Sequence, residues 1–209
     1  GSLGITSNLF FLTAVAAFAM GSKYILAINK KHIFNPAAFG VVASALILNQ
    51  GASWWIGTPW MVVPTLLGGL LILKKIRRWE MVGLFLITYL LLSSFINEDF
   101  VLKRHILDPL LYSPILFFTL VMLVEPLTSP TVKRMQIIYA AIVALFFYII
   151  FLIKFDISYS LELSLLIGNI FSYVVSGSFR QTMVLREKTQ LTSDVITFLF
   201  EPARKFQFK

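Results

Sequence analysis

The residues of this chain that could do chemistry are few and widely spaced. Lys23 stands eleven residues before Phe34 in the stretch KHIFNPAAFG, which also holds Asn35, Pro36, Ala37 and Phe39. Glu125, Thr128 and Ser129 lie in EPLTSP, and Asn169 lies in LLIGNIFSY. Asparagine is a preferred N-cap and proline is favoured at the first helical position, so NPAAFG opens a helix with or without a ligand. In an apolar setting that helix start carries unpaired N–H groups and the positive end of the dipole, which attract an anionic or carbonyl-bearing group. The small Ala37 and Ala38 would let a planar molecule approach. In EPLTSP, Ser129 or Thr128 can cap a following helix and Pro130 can set its first turn. An acidic residue at a membrane helix end is costly, which makes Glu125 a functional candidate; the structural alternative is a pair with Lys133 or Arg134. Lys23 either points inward beside Asn35 or snorkels to the interface. Asn169 offers a polar group in mid-helix, whose structural role would be an interhelical hydrogen bond of about 1 kcal/mol.

Much chemistry is excluded. The chain has no cysteine, hence no disulfide, thiolate metal site, iron–sulfur ligation or cysteine nucleophile. His32 and His105 flank loops far apart in sequence, so no metal site is expected. There is no P-loop, no catalytic triad and no close carboxylate pair suited to acid–base work, and no catalytic residue is expected in this segment. Any redox cofactor must be organic, or held without Cys and His.

The elements that position these residues are membrane helices. Of 209 residues, 58% are hydrophobic and 13% charged, with a mean hydropathy of +0.84; soluble domains are typically about 25% charged. The segments Asn8–Ile28, Pro36–Leu48, Pro59–Leu73, Met81–Ile96, Tyr112–Val124, Val132–Ile153 and Leu161–Ser176 read as helices. Pro36–Leu48 and Tyr112–Val124 reach only about 20 Å, short of a hydrocarbon core of about 30 Å. Short or re-entrant helices of this kind often line a site. The two motifs NPAAFG and EPLTSP each join a short and a long apolar segment, which suggests an internal duplication. Trp54, Trp55 and Trp60 read as an interfacial aromatic belt.

The formal charge of +8 follows the loops. Alternate loops hold Lys30, Lys31, Lys74, Lys75, Arg77, Arg78, Lys133 and Arg134. The intervening ones hold only Lys103, Arg104 and Lys154, diluted by Glu98, Asp99, Asp108 and Asp156. The positive-inside rule places the first set, and with it the C-terminal tail, in the cytoplasm. Basic residues placed between apolar segments form no nucleic-acid patch, and no nucleic-acid partner is expected.

After Arg186, KTQLTSDVITFLFEPARKFQFK alternates polar and apolar residues like two β-strands with a Glu-Pro turn. The alternative is an amphipathic tail on the membrane surface. Residues 1–179 are thus expected to form a membrane module and 180–209 the linker and first strands of a soluble domain. Both ends read as cuts through a longer protein.

Lys23 ahead of FNPAAFG, then GTPWMVVPTLLGGLLILKKIRRW, EPLTSP after FFTLVMLV, and LLIGN in the last helix together resemble the Nqr/Rnf membrane-subunit family. Its members include the NqrB protein of the sodium-pumping quinone reductase and the RnfD protein of the Rnf complex. The resemblance runs from about Lys23 to Gly177. It implies an all-α, duplicated inverted-repeat bundle like that of urea and ammonium channels, holding flavin and passing electrons into or across the membrane. Lys23, the Asn35–Phe39 stretch with Phe34, Glu125, Thr128, Ser129 and Asn169 match the family pattern and would lie near a flavin or the electron and ion path. Family members carry a long loop whose Ser-x-Ala-Thr threonine is esterified to FMN. Here the interval is only NQGASWWIGTP, which weighs against Thr58 as a covalent site, so riboflavin or FMN held non-covalently is expected.

The tail resembles the opening strands of a ferredoxin-reductase-type FAD barrel. A reductase domain in cis, with FAD and NAD(P)H, would then supply the electrons as part of an NAD(P)H-dependent flavin oxidoreductase. A quinone or an extracytoplasmic flavoprotein would accept them in a bacterial inner membrane, and ion transport could be coupled to the transfer. A urea/ammonium-type channel or transporter without redox activity is the alternative, and a passive anchor for the reductase is a third.

Overall fold

The computed structural model describes residues 2–28, 31–52, 54–94, 106–153, 159–176 and 183–202. It divides into two compact units, Gly1–Ser176 and Gly177–Lys209. The first is helical: α1 Ser2–Ile25, α2 Pro36–Leu48, α3 Pro59–Ile76, α4 Trp79–Ser94, α5 Asp108–Tyr112, α6 Ile115–Phe117, α7 Lys133–Leu152 and α8 Ser160–Ser176. The loop charges at Lys30, Glu98, Asp99, Lys103, Arg104, Lys154 and Asp156 lie outside the described residues, as do His105, the end of the Met81–Ile96 segment and residues 203–209.

Local chemistry explains most boundaries. Asn35 N-caps α2, its Oδ1 accepting from Ala38 N at 3.0 Å, and Pro36 follows at the first helical position. The helix ends at Asn49, which takes the left-handed conformation (φ 51°) that asparagine tolerates. Thr58 and Pro59 open α3, and Arg77 (φ 55°) closes it by donating its N–H to Leu73 O at 2.8 Å.

Three expectations are corrected. The first apolar segment does not run as helix to Ile28. It stops at Ile25, and a short hairpin, β1 Ala27–Ile28 with β2 Lys31–His32, turns the chain toward α2. Tyr112–Val124 is not one helix. Ser113 and Pro114 separate α5 from α6, and a π-helical turn follows at Phe118–Met122, because an X-Pro step disfavours helix in the residue before it. Helix α7 begins at Lys133 with Val132 as N-cap, so neither Thr128 nor Ser129 caps it.

In packing, α7 lies between α4 and α8, α2 lies between α1 and α8, and α3 lies along the π-turn. Phe85, Phe118, Leu123, Val143 and Leu165 are completely or almost completely buried in the shared core. Leu67, Leu71 and Trp60 point outward. Helices α3 and α7 are long and apolar enough to cross a membrane, and the apolar stretches Leu9–Ile25, Pro36–Leu48, Trp79–Leu92 and Ser160–Ser176 are shorter. Small residues let backbones approach closely, as in membrane bundles generally. A Cβ on Gly40 of α2 would sit 2.7 Å from Val15 O of α1, and one on Gly168 of α8 would overlap Val143 Cγ2 of α7.

The second unit contributes an antiparallel hairpin, β3 Met183–Gln190 and β4 Ile196–Pro202. Two strands are present as expected, but the turn is not at Glu-Pro. Glu201 and Pro202 are inside β4, opposite Val184 and Met183, where a terminal proline costs the ladder little. The turn is at 191–195, held by Leu191 N to Val195 O at 2.9 Å and by Val195 N to Thr192 Oγ1 at 3.2 Å. Arg186 and Glu201 pair across the strands at 2.7 Å.

Because the atom opposing Gly40 is a backbone carbonyl that cannot rotate away, Gly40→Ala is expected to destabilise the bundle by about 1–3 kcal/mol. Gly83→Ala, which meets open space, should be neutral or stabilising by up to about 1 kcal/mol. Thermal unfolding of the two variants in detergent measures the contrast.

Candidate functional site

The site grows from two places where helical backbone is interrupted. The first is the start of α2; the second is the loop 123–132 between the π-turn and α7. A break inside an apolar bundle leaves carbonyl and N–H groups that water cannot reach, so side chains must satisfy them. At the second break, Arg78 at the α3–α4 junction donates from Nη1 to Val124 O at 3.3 Å and to Ser129 Oγ. Ser129 Oγ in turn donates to Glu125 O. Gln136 Nε2 donates to Pro130 O at 3.0 Å and Thr131 O at 3.3 Å. Arg78 thus brings a cation to the carbonyl end of the broken helix, where the dipole favours one.

The two breaks are joined directly. Asn35 Nδ2 donates to Glu125 Oε2 at 2.9 Å, and Thr128 Oγ1 donates to the same oxygen at 2.7 Å. Asn169 of α8 completes the cluster. Its Oδ1 accepts from Asn35 N at 2.8 Å, and its Nδ2 donates to Thr128 O at 3.2 Å and Tyr139 Oη at 3.1 Å. Asn169, Ser129 and Tyr139 are completely buried. One asparagine therefore ties α8 to α7 and to both breaks.

One position of the cluster is left unused among the described residues. Glu125 Oε1 faces His32 Nε2 at 4.0 Å, too far for a hydrogen bond. His32 is 8% exposed, and its Nε2 is buried with no hydrogen-bond partner among the described residues. The Glu125 side chain is 27% exposed, so this corner is the open edge of the network. Phe34 and Phe39, half-buried on either side of Asn35 and Pro36, stack with ring centroids 5.9 Å apart.

Of the residues singled out from sequence, Asn35, Glu125, Thr128, Ser129 and Asn169 meet in this cluster, with Phe34, Pro36, Ala37 and Phe39 at the start of α2. Lys23 lies exposed on the last turn of α1, outside the cluster. Thr58 lies exposed at the start of α3. Glu125 does not pair with Lys133, which instead bridges Glu80 at 2.9 Å on the surface. Trp54 leaves the proposed belt: half-buried, it donates its indole N–H to Glu162 Oε1 at 2.5 Å, while Trp55 and Trp60 remain exposed.

Sequence reasoning missed His32, Arg78 and Tyr139. His32 read only as a loop-flanking histidine and Arg78 as a loop cation, and a tyrosine in an apolar helix carries no sign of its partner. Glu162 could have been found, since an acid within LELSLL is itself a functional signal in a membrane helix. Among the described residues no group of three or more His, Asp or Glu could hold a metal ion.

Several apolar helices, outward-facing hydrophobic side chains and a largely satisfied polar centre mark a helical membrane protein. Residues 20–184 match the NQR2, RnfD, RnfE family, and the chain belongs to that family of electron-transport membrane subunits. No curated protein sequence matches the chain significantly.

Asn169→Ala removes partners from three groups, two of them on buried backbone. A buried group left unsatisfied costs about 1–3 kcal/mol, so a loss of about 3 kcal/mol or more is expected. Lys133→Ala, at an exposed pair, should cost less than about 1 kcal/mol. Denaturation in detergent micelles compares the two.

Proposed function

We propose that the chain is a flavin-binding electron-transfer module, with riboflavin or FMN held without a covalent bond at the open edge of the Asn35–Glu125–Asn169 cluster. The observation that carries this reading is the unused pair, His32 Nε2 and Glu125 Oε1. A carboxylate oxygen that accepts, beside a ring nitrogen that can donate, complements a ligand edge with adjacent donor and acceptor atoms. The carbonyl and imide groups of a flavin have that character. The remaining atoms of the cluster are committed to one another, and so they orient rather than bind. Asn35 and Thr128 fix Oε2 of Glu125, which leaves Oε1 free to meet the ligand. The stacked Phe34 and Phe39 offer an apolar face to a planar ring system. A bound flavin supplies one- and two-electron redox chemistry, and the protein supplies its position and the polarity around it.

In this reading electrons come from an NAD(P)H-reduced FAD domain following the hairpin in cis, on the cytoplasmic side of a bacterial inner membrane. They leave to a quinone or an extracytoplasmic flavoprotein, and ion movement could be coupled to their passage. The direct bond between the two breaks, 90 residues apart, supports reading them as matching parts of a duplicated, inverted repeat like that of urea and ammonium channels.

The detergent-purified protein is expected to show flavin absorbance, with a free riboflavin or FMN mass released on denaturation. His32→Leu should lower flavin content about ten-fold, as loss of one hydrogen bond of about 1.5 kcal/mol implies. It should barely change thermal stability, because Nε2 has no partner among the described residues. Glu125→Leu should lower both. A folded wild-type protein without flavin, conducting a small neutral solute in liposomes, would overturn the proposal in favour of a channel.

A further inference from the structure

A second site lies away from the Glu125 cluster. A cavity of about 650 Å³ opens where the segment before α3, the Asp108–Pro114 stretch and helices α4, α7 and α8 come together. It is at the other end of the bundle. Glu162 precedes Asn169 by seven residues along α8, and Phe147 follows Tyr139 by eight along α7, which is about 10–12 Å of helix. Its volume is in the range of small-molecule sites, about 300–1,000 Å³.

Its lining combines two kinds of group. Trp54, Tyr89, Tyr112 and Phe147 give aromatic walls, and Asp108 and Glu162 give carboxyl groups; no Lys, Arg or His is among the described lining residues. Glu162 is 3% exposed, and its carboxylate meets its own backbone N–H and the indole N–H of Trp54, which reaches Oε1, but no cation among the described residues. A buried carboxylate needs a counter-charge, and an indole N–H does not provide one. Aromatic faces attract cations, most strongly when desolvated, and tryptophan is the best of them. An anion, such as a phosphate-bearing molecule, would meet two acids of its own sign.

We propose that this cavity binds an organic cation, an alkyl- or aryl-ammonium whose charged nitrogen lies near Glu162 and Asp108 and whose apolar body packs against the aromatic walls. The site is independent of the flavin position and does not rest on it.

The test uses the full chain in lipid nanodiscs and labelled benzyltrimethylammonium in equilibrium dialysis, with empty nanodiscs as the blank. Saturable binding of one cation per chain is expected. Glu162→Gln should weaken it about ten-fold or more, consistent with loss of the charge partner in a desolvated site. Asp108→Asn, at a less buried position, is the second variant should Glu162→Gln fail to fold, and a weakening is expected there too. Neither change should alter flavin content. Benzyl alcohol, with the same ring and no charge, should compete at least ten-fold more weakly, and benzenesulfonate not at all. Absence of saturable binding overturns the proposal. So does equal binding by a folded Glu162→Gln variant, which would mean that Glu162 is a neutral, protonated acid. Equally strong competition by benzyl alcohol would reduce the cavity to an apolar pocket and overturn it as well.

Discussion

The structure depends on one constraint: a helix broken inside an apolar bundle must have its freed backbone groups satisfied by the protein itself. An unpaired backbone group away from water costs as much as a lost hydrogen bond or more. This chain breaks its helices at residues 34–36 and 123–132 and lets each break serve the other. Asn35 caps its own helix through Oδ1 and reaches Glu125 through Nδ2. Arg78 and Ser129 cover the carbonyls of Val124 and Glu125. Without Asn169, whose amide bonds to Asn35 N, Thr128 O and Tyr139 Oη, these pieces would have no common anchor.

That arrangement relates packing to function. The close approaches at Gly40 and Gly168 bring α1, α2, α7 and α8 near enough for short polar side chains to meet. Once the network is closed, most of its atoms are occupied, and the His32–Glu125 corner is where capacity is left among the described residues. A rigid cluster with one unsatisfied edge is suited to orienting a ligand, because binding there does not require the protein to give up bonds it already has.

The two ends of the bundle differ in kind. Around Glu125 the polar groups are densely bonded and accompanied by Arg78. Around Glu162 the carboxyl groups line a cavity with aromatic walls and no basic residue among its described lining. Ser113 and Pro114, which separate α5 from α6, line this second region. Gly57 fits against the backbone of Ser113 and Pro114, where a Cβ would come within 2.9 Å, so the chain before α3 can lie close enough for Trp54 to reach Glu162.

The amino-acid sequence by itself determined the class of protein, the existence of the longer helices and the bounds of some of them, those of α2, α7 and α8 within a residue. Apolar run length and the Asn-Pro and Thr-Pro starts act within a few residues, so they can be read locally. It also marked Asn35, Glu125, Thr128, Ser129 and Asn169, since polar residues in such a chain are few and costly. What it could not determine is which of them meet. Asn35 finds partners 90 and 134 residues away, and that choice depends on how helices rotate and cross, which periodicity does not record. The same reason hid Tyr139, turned Arg78 from a loop cation into a cap, drew Trp54 inward and left Lys23 outside. The tertiary structure alone decided that His32, beside the basic residue of its own strand, would face Glu125 with no hydrogen-bond partner among the described residues.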